Sequence, residues 1–281
     1  MRPIAVAVPC LNEASTIAVV VEEFRRVLPD ATIVVIDNAS SDGSAAEARR
    51  AGATVVHEPR RGKGFVMQAI RAHVRADVVV VVDGDGTYPA DEVPQLLAPV
   101  LAGRADIAVG TRMANPSRGA MRPVNHLGNI VISRALNALW RTDFTDVLSG
   151  YRVLSGAALS AVPLQLGGFE TEVELTSRAL AQGLAICEVP VSYRARPSGS
   201  RSKLRPFRDG WRILKTLAAL MRERGPRPAR APGTSVSAEH RHVDTRVVEH
   251  GAAAHVGQRV GHERVAGLAV ERASEPQPLR Q

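Results

Sequence analysis

The chain has 281 residues, a formal net charge of +8, and 45% hydrophobic but only 4% aromatic residues. That length holds one large α/β domain or two small ones. The charge suits a phosphate-bearing ligand or an anionic membrane surface, and the absence of helix-turn-helix, zinc-finger or aromatic RNA-binding patterns argues against nucleic acid.

Two cysteines, Cys10 and Cys187, are too few for a disulfide framework and point to a reducing compartment. No stretch of about 18 apolar residues reads as a membrane span, and Met1-Arg2-Pro3 leads straight into a strand pattern rather than a signal segment. The expected location is the cytoplasm, at most peripheral on the inner face of the membrane.

In chain order, Ile4 to Val8 reads as a first strand, leaving through Pro9-Cys10-Leu11-Asn12-Glu13 into a helix from Ser15 to Leu28 that Pro29 stops. Thr32 to Ile36 is a second strand. It closes on Asp37 and the polar run Asn38 to Ser44, where Asp42 or Ser44 can cap a helix running to Ala51. A short third strand, Thr54 to Val56, is followed by Arg60-Arg61-Gly62-Lys63-Gly64 and a helix to Arg75. The Gly-Lys-Gly lacks the earlier glycine and the following hydroxyl of a P-loop.

Five consecutive valines, Val78 to Val82, are too β-branched for a helix and read as a strand buried on both faces. They end in Asp83-Gly84-Asp85-Gly86-Thr87-Tyr88-Pro89. Asp91 to Ala102 is a helix, and Ile107 to Gly110 a fifth strand followed by Thr111-Arg112. Such alternation predicts an α/β fold with a mostly parallel central sheet flanked by helices. The polar clusters after strands one, two, four and five then converge on one edge, bringing Asn12, Glu13, Asp37, Asp83, Asp85 and Arg112 into one cleft.

The second half is less regular. Helices are expected near Asn125 to Trp140 and Glu172 to Gln182, with the run Asp146 to Arg152 between them. Ala185 to Tyr193 is a strand interrupted by Pro190, which places it at an edge or at a bulge. A cationic loop, Arg194 to Leu204, leads to a helix from Phe207 to Glu223, whose Phe207, Trp211, Leu214, Ala218 and Met221 form one apolar stripe amid arginines and Lys215. That stripe suits either docking on the sheet or an anionic membrane surface. From Pro226 onward there is no Phe, Trp, Tyr, Ile or Lys, and five of the eight histidines gather there. Residues 1–225 are expected to form the folded domain and residues 226–281 a disordered tail.

Asp83 and Asp85, separated by a glycine that adds no side chain, can turn toward one hard cation carrying a diphosphate, although Asp-Gly pairs also end strands as ordinary turns. Glu170, Glu172 and Glu174 sit at a helix start, where negative charge is stabilising in any case, and one of them or Asp146 offers a base if the acceptor is a hydroxyl.

Pro-x-Leu-Asn-Glu, Asp-Asn-x-Ser-x-Asp, Asp-x-Asp-x-x-Tyr-Pro, Asp-x-x-Ser-Gly-Tyr-Arg and a late Ser-x-Ser-Lys-Leu, in this order over residues 4–222, resemble family 2 glycosyltransferases, and within them the dolichyl/polyprenyl-phosphate sugar synthases. The resemblance implies a GT-A type nucleotide-diphospho-sugar transferase fold and inverting transfer from a nucleotide sugar donor to a lipid-phosphate acceptor. By that likeness Pro9, Leu11, Asn12, Glu13, Asp37, Lys63, Asp83 and Gly84 hold the nucleotide. Asp83 and Asp85 hold Mg2+ or Mn2+, and Asp85, Arg112 and Asp146 form the catalytic set. Arg112, Arg122, Arg152, Arg196, Arg201, Ser202 and Lys203 are candidates for the acceptor phosphate.

Two departures stand out. Thr87 replaces a glutamine of the lipid-phosphate synthases, and the polar tail replaces the transmembrane helices of many relatives, so membrane contact rests on the terminal helix or on a membrane-protein partner. Rival readings are a hydroxyl acceptor on the same fold, a nucleotidyltransferase, for which the Pro9 to Glu13 loop is wrong, and a non-catalytic nucleotide-sugar binding module.

Overall fold

In the computed structural model the described residues are 2–113, 121–197, 203 and 206–223. The expected tail, 226–281, lies outside them, as do Arg201 and Ser202.

Seven strands form one sheet: β1 (Ile4–Cys10), β2 (Thr32–Asp37), β3 (Thr54–His57), β4 (Val78–Val81), β5 (Ile107–Thr111), β6 (Arg152–Ser155) and β7 (Ile186–Pro190). The helices are α1 (Ile17–Val27), α2 (Ser44–Arg50), α3 (Lys63–His73), α4 (Val93–Leu101), α5 (Pro123–Trp140), α6 (Gly156–Ala161), α7 (Thr171–Ala181) and α8 (Pro206–Glu223). A 3-10 turn at Ala90–Glu92 precedes α4, whose first turn contains Pro94, where a missing N–H costs nothing.

The strand order is β3-β2-β1-β4-β6-β5-β7. All neighbours pair in parallel except β6, which runs antiparallel between β4 and β5. The chain builds outward from β1 through β2 to β3 and then returns to place β4 on β1's other side. The crevice beyond the C-terminal ends of β1 and β4 is therefore the switch point where such sheets bind ligands, and it is lined by the Pro9 to Glu13 and Asp83 to Thr87 loops.

The pleat sorts side chains onto the two faces. Val6, Val8, Val78, Val80 and Val82 pack under α1 and α4 with Phe24, Leu96 and Tyr151. Ala5, Ala7, Val79 and Val81 pack under α3, α6 and α7 with Ile70, Leu159 and Leu175. The valine run is thus buried on both faces, as its composition predicts. Pro190 ends an edge strand, also as expected.

A third apolar cluster joins α5, α7 and α8 through Ile132, Leu136, Val173, Ile213 and Leu217. It shows that α8 docks on helices rather than on the sheet. The buried positions of α8 are Asp209, Ile213, Leu217 and Leu220, one step around from the stripe read in the sequence. Trp211 and Met221 of that stripe are 61% and 48% exposed. Of the side chain of Phe207 nothing is described.

β6 and α6 have no counterpart in the sequence reading. β6 is only four residues long, and its insertion reverses the direction of a sheet that the preceding alternation made parallel. No helix among the described residues is long and apolar enough to cross a membrane.

Candidate active site

The loops at the switch point are laced together by their own polar residues. Asn12 takes a left-handed φ of 50°, which asparagine tolerates. Its N–H donates to Ser40 Oγ at 3.0 Å, and its Oδ1 accepts from Ser41 N–H at 2.7 Å. Glu13 N–H donates to Ser44 Oγ and Ala14 N–H to Asp42 Oδ2. Asn38 in turn accepts from Gly62 N–H at 2.7 Å and donates to the carbonyls of Glu58 and Arg60. Asp42 therefore spends its carboxylate joining these loops as well as on Ser44, the first residue of α2.

Asp37, at the end of β2, is held from both sides: Oδ2 lies 3.0 Å from His57 Nδ1, and the other oxygen accepts from Ser40 N–H. His57 is a partner that sequence reasoning missed. Only the parallel register, which sets Asp37 opposite His57, brings it there.

At the end of β4, Gly84 N–H donates to Pro9 C=O at 3.1 Å and Thr16 Oγ1 to Gly84 C=O at 2.7 Å, so the aspartate turn is pinned to the β1 loop. Asp83 Oδ1 meets Lys63 Nζ at 2.8 Å, and the same ammonium meets Glu172 Oε1 at 2.8 Å. Burial works against the charge on Lys63, but Asp83 and Glu172 outweigh it and raise its pKa. Burial likewise opposes ionisation of Asp83, and Lys63 overcomes it, holding the carboxyl below its ordinary range. Asp85 is buried. Its Oδ1 accepts from the N–H and hydroxyl of Thr87 at 3.1 and 2.6 Å, and its Oδ2 lies 2.5 Å from Arg196 Nη2.

The Gly-Lys-Gly segment has a packing explanation. A Cβ at residue 62 or 64 would lie 2.0 Å from the carbonyl oxygen of Gly167 or Leu166, respectively. The two glycines let the start of α3 press against the 166–167 backbone, which sets Lys63 between Asp83 and Glu172. Gly150 is constrained in the same way: a Cβ there would meet Asp83 Oδ2 at 2.4 Å and Lys63 Nζ at 2.8 Å. Glycines whose missing side chain matters leave little signal in a single sequence.

Two expected roles are corrected by burial. Asp146 is wholly buried and bound by Arg112, whose Nε and Nη2 donate to its two oxygens at 2.6 and 2.7 Å. Its carboxylate is committed to positioning Arg112 and is not open to act as a base. Arg112 in turn lies close enough to Asp83 to help keep it ionised. Glu188, another residue missed in the sequence, fixes the turn by accepting from the N–H groups of Thr145 and Asp146.

Arg152 is also buried, donating to the carbonyls of Ser149 and Val147 and to Thr176 Oγ1, so it braces the Asp146 to Arg152 turn from within instead of facing an acceptor. Burial lowers its pKa. Arg122 is the exposed N-cap of α5, and no ion pair ties it to the cleft among the described residues.

Glu174 is buried, accepting from the N–H groups of Gln165 and Leu166 and from Arg178, a structural role. Glu170 pairs with Arg212 at 2.7 Å. Lys203 reaches back to Glu13 Oε1 at 2.9 Å. Burial pushes the Glu13 carboxyl up to about 7, with Lys203 opposing it.

Beside Lys63 opens a cleft of about 340 Å3 lined by Arg61, Lys63, Lys203, Arg208 and Arg212 with Phe65 and Phe169, and by Asp209 as its one acid. Its size is that of a small-ligand site and its charge selects anions. Asp83 and Asp85 supply two hard oxygen donors to the adjoining turn, which fits the donor chemistry of a divalent cation whose remaining positions are filled by phosphate oxygens and water. No group of three or more His, Cys, Asp or Glu among the described residues is arranged to hold a metal unaided.

A mostly parallel sheet with this aspartate turn at its switch point is the architecture of the GT-A nucleotide-sugar transferases. More particularly, the chain belongs to glycosyl transferase family 2, whose family model matches residues 5–161. It is 38% identical over 215 residues to the glycosyltransferase AglJ of Haloferax volcanii, a match covering 76% of this chain and 70% of that one. It is 29% identical over 220 residues to the dolichyl-phosphate hexose transferase of the same organism, covering 78% of this chain and 94% of that one. Among solved structures it is similar to glucosyl-3-phosphoglycerate synthase of Mycobacterium tuberculosis in complex with Mn2+, UDP-glucose and phosphoglyceric acid. That match has a TM-score of 0.65 at 25% identity and covers 78% of this chain and 80% of that chain.

Proposed function

We propose that this family 2 glycosyltransferase moves a sugar from a nucleotide diphosphate to a polyprenyl phosphate, using Mg2+ or Mn2+ at Asp83 and Asp85. The observation that carries the acceptor reading is the pairing of the carboxylates around the aspartate turn with cations. Asp83 and Glu172 share Lys63, Asp85 holds Arg196, Asp146 holds Arg112, Glu170 holds Arg212 and Glu13 holds Lys203. A hydroxyl acceptor needs a base to take its proton, whereas a phosphate arrives as an anionic nucleophile and needs positive charge to position it. The surplus of arginine and lysine in the adjoining cleft supplies that charge.

In this reading the loops carrying Pro9, Leu11, Asn12, Glu13 and Asp37 seat the nucleoside, and Lys63 orients the Asp83 carboxylate. Gly84 lets the turn approach the β1 loop, where a Cβ would meet Glu13 Oε2 at 2.9 Å. A divalent ion on Asp83 and Asp85 would act as a Lewis acid, offsetting the charge that grows on the leaving diphosphate. Arg112, Arg196 and Lys203 are the cations assigned to phosphate groups. Similarity to the dolichyl-phosphate hexose transferase supports the lipid acceptor, and similarity to the Mn2+ and UDP-glucose complex supports the donor class.

The transferase domain is assigned to residues 1–225, so removing residues 231–281 leaves the rate unchanged. The deciding experiment offers a panel of nucleotide sugars with polyprenyl phosphate and Mn2+, and follows both nucleotide diphosphate release and radiolabelled sugar partitioning into organic solvent. Asp85→Ala abolishes both signals while keeping the wild-type circular dichroism. Sugar that stays in the aqueous phase on a soluble acceptor overturns the lipid reading.

A further inference from the structure

Arg196 sits on the Asp85 oxygen that the metal reading given above assigns to a divalent cation. The Oδ1 of Asp85 is taken by the N–H and hydroxyl of Thr87, and its Oδ2, 2.5 Å from Arg196 Nη2, is taken by the guanidinium. The Asp85 side chain is only 2% exposed, with the guanidinium packed against its Oδ2.

The arginine is delivered by the segment after β7, which lies along the aspartate turn. Arg194 N–H donates to Thr87 C=O at 2.8 Å, and Pro197 comes within 3.9 Å of a Cβ built on Gly86. Burial opposes the charge on Arg196, but Asp85 and then Asp83 and Glu13 contribute the negative field that holds it there. A Mg2+–oxygen contact is about 2.1 Å long. A metal ion at that distance and a guanidinium 2.5 Å from the same Oδ2 would crowd two positive charges onto one oxygen, and the two cations repel one another.

We propose that Arg196 is an internal stand-in for the divalent ion: it neutralises Asp85 in the metal-free protein, and metal binding displaces it toward the phosphate groups of the bound ligands. The proposal rests on the metal reading given above and adds an order of events to it. A buried carboxylate left without a cation is costly, so Asp85 changes partners instead of waiting empty. The guanidinium becomes available to an anion only once the metal has arrived, which couples metal occupancy to phosphate binding.

The test measures Mn2+ binding to nucleotide-free protein, from the electron paramagnetic resonance signal of unbound Mn2+. Arg196→Ala binds Mn2+ about ten-fold more tightly than wild type, Arg196→Lys stays within about two-fold of wild type, and Asp85→Asn in the Arg196→Ala background removes binding. A second readout is modification of Arg196 by phenylglyoxal, located by mass spectrometry: the residue is protected without metal and becomes reactive as Mn2+ saturates.

Equal or weaker Mn2+ binding by Arg196→Ala, with Asp85→Asn still abolishing it, overturns the stand-in role and leaves the metal reading intact. Reactivity of Arg196 that Mn2+ does not alter has the same effect. If neither wild type nor Arg196→Ala binds Mn2+, the metal reading falls and this inference with it.

Discussion

Thr87 Oγ1 donates a hydrogen bond of 2.6 Å to Asp85 Oδ1, so the residue that stands in place of the expected glutamine fixes the orientation of the second aspartate. Thr87 is fully buried, and its backbone N–H supports the same oxygen at 3.1 Å. Thr87→Val keeps the shape but removes one donor to a charged group, costing about 1.5–3 kcal/mol of stability or of carboxylate order. Turnover is expected to fall about ten-fold with a weaker apparent affinity for Mn2+, and Thr87→Ser to restore most of both. A Thr87→Val enzyme with wild-type metal dependence removes the orienting role.

Gly150 is the second test of the turn's geometry, because the Cβ of Gly150→Ala would lie 2.4 Å from Asp83 Oδ2. Either Asp83 leaves Lys63 or the backbone shifts. The expected outcome is a loss of activity of at least ten-fold, with a destabilisation of about 1–3 kcal/mol read from urea denaturation. A fully active, equally stable variant shows that the turn has room to spare.

Much of this site is legible in the chain because strand ends dominate it. Asp37, Asp83, Asp85 and Arg112 each follow a recognisable apolar run, and parallel order brings such ends together. What stays hidden is set by pairing at long range. Glu172 reaches Lys63, Glu188 reaches Thr145 and Arg196 reaches Asp85 only after the sheet has closed. The reversed β6 also escapes pattern reading, since four residues carry little periodicity, and with it goes the inward turn of Arg152. Which face of α8 is buried is not legible in the sequence because the helix has apolar residues on two neighbouring faces, and only packing against α5 and α7 decides it.

Glu13 makes stability depend on pH. Burial lifts its carboxyl from 4.5 to about 7, so between those values the folded chain holds a proton that the unfolded chain has released. Stability therefore falls as the pH rises from about 4.5 through 7, and the whole loss is present above that range. Glu13→Gln cannot ionise and escapes it. In metal-free buffer the variant is expected to melt higher than wild type at pH 8.5, by an amount corresponding to roughly 1–3 kcal/mol, with the difference shrinking toward pH 5. A variant less stable than wild type at pH 8.5 means that the ion pair with Lys203 outweighs the burial of the charge.

The last prediction concerns the outer faces of α5 and α8. Leu127 and Val131, one turn apart on α5, are 61% and 47% exposed, and on α8 Trp211 and Met221 are left outside the docked face formed by Ile213, Leu217 and Leu220. The lipid acceptor proposed above gives the large exposed apolar side chains on these two packed helices a role, because its phosphate would have to reach the cationic cleft from a bilayer surface. Lys215 lies 5.3 Å from the Trp211 ring, which puts a cation beside an interfacial aromatic. Apolar insertion and attraction to acidic headgroups then act together, the second fading with salt. Flotation with liposomes is expected to increase with the fraction of anionic lipid and to fall several-fold for Trp211→Ala with Met221→Ala, and for Lys215→Glu at low salt. The fold is expected to survive these changes, since none of the three side chains is buried. Absence of flotation at low salt on strongly anionic liposomes removes the membrane contact and shifts delivery of the acceptor to a protein partner.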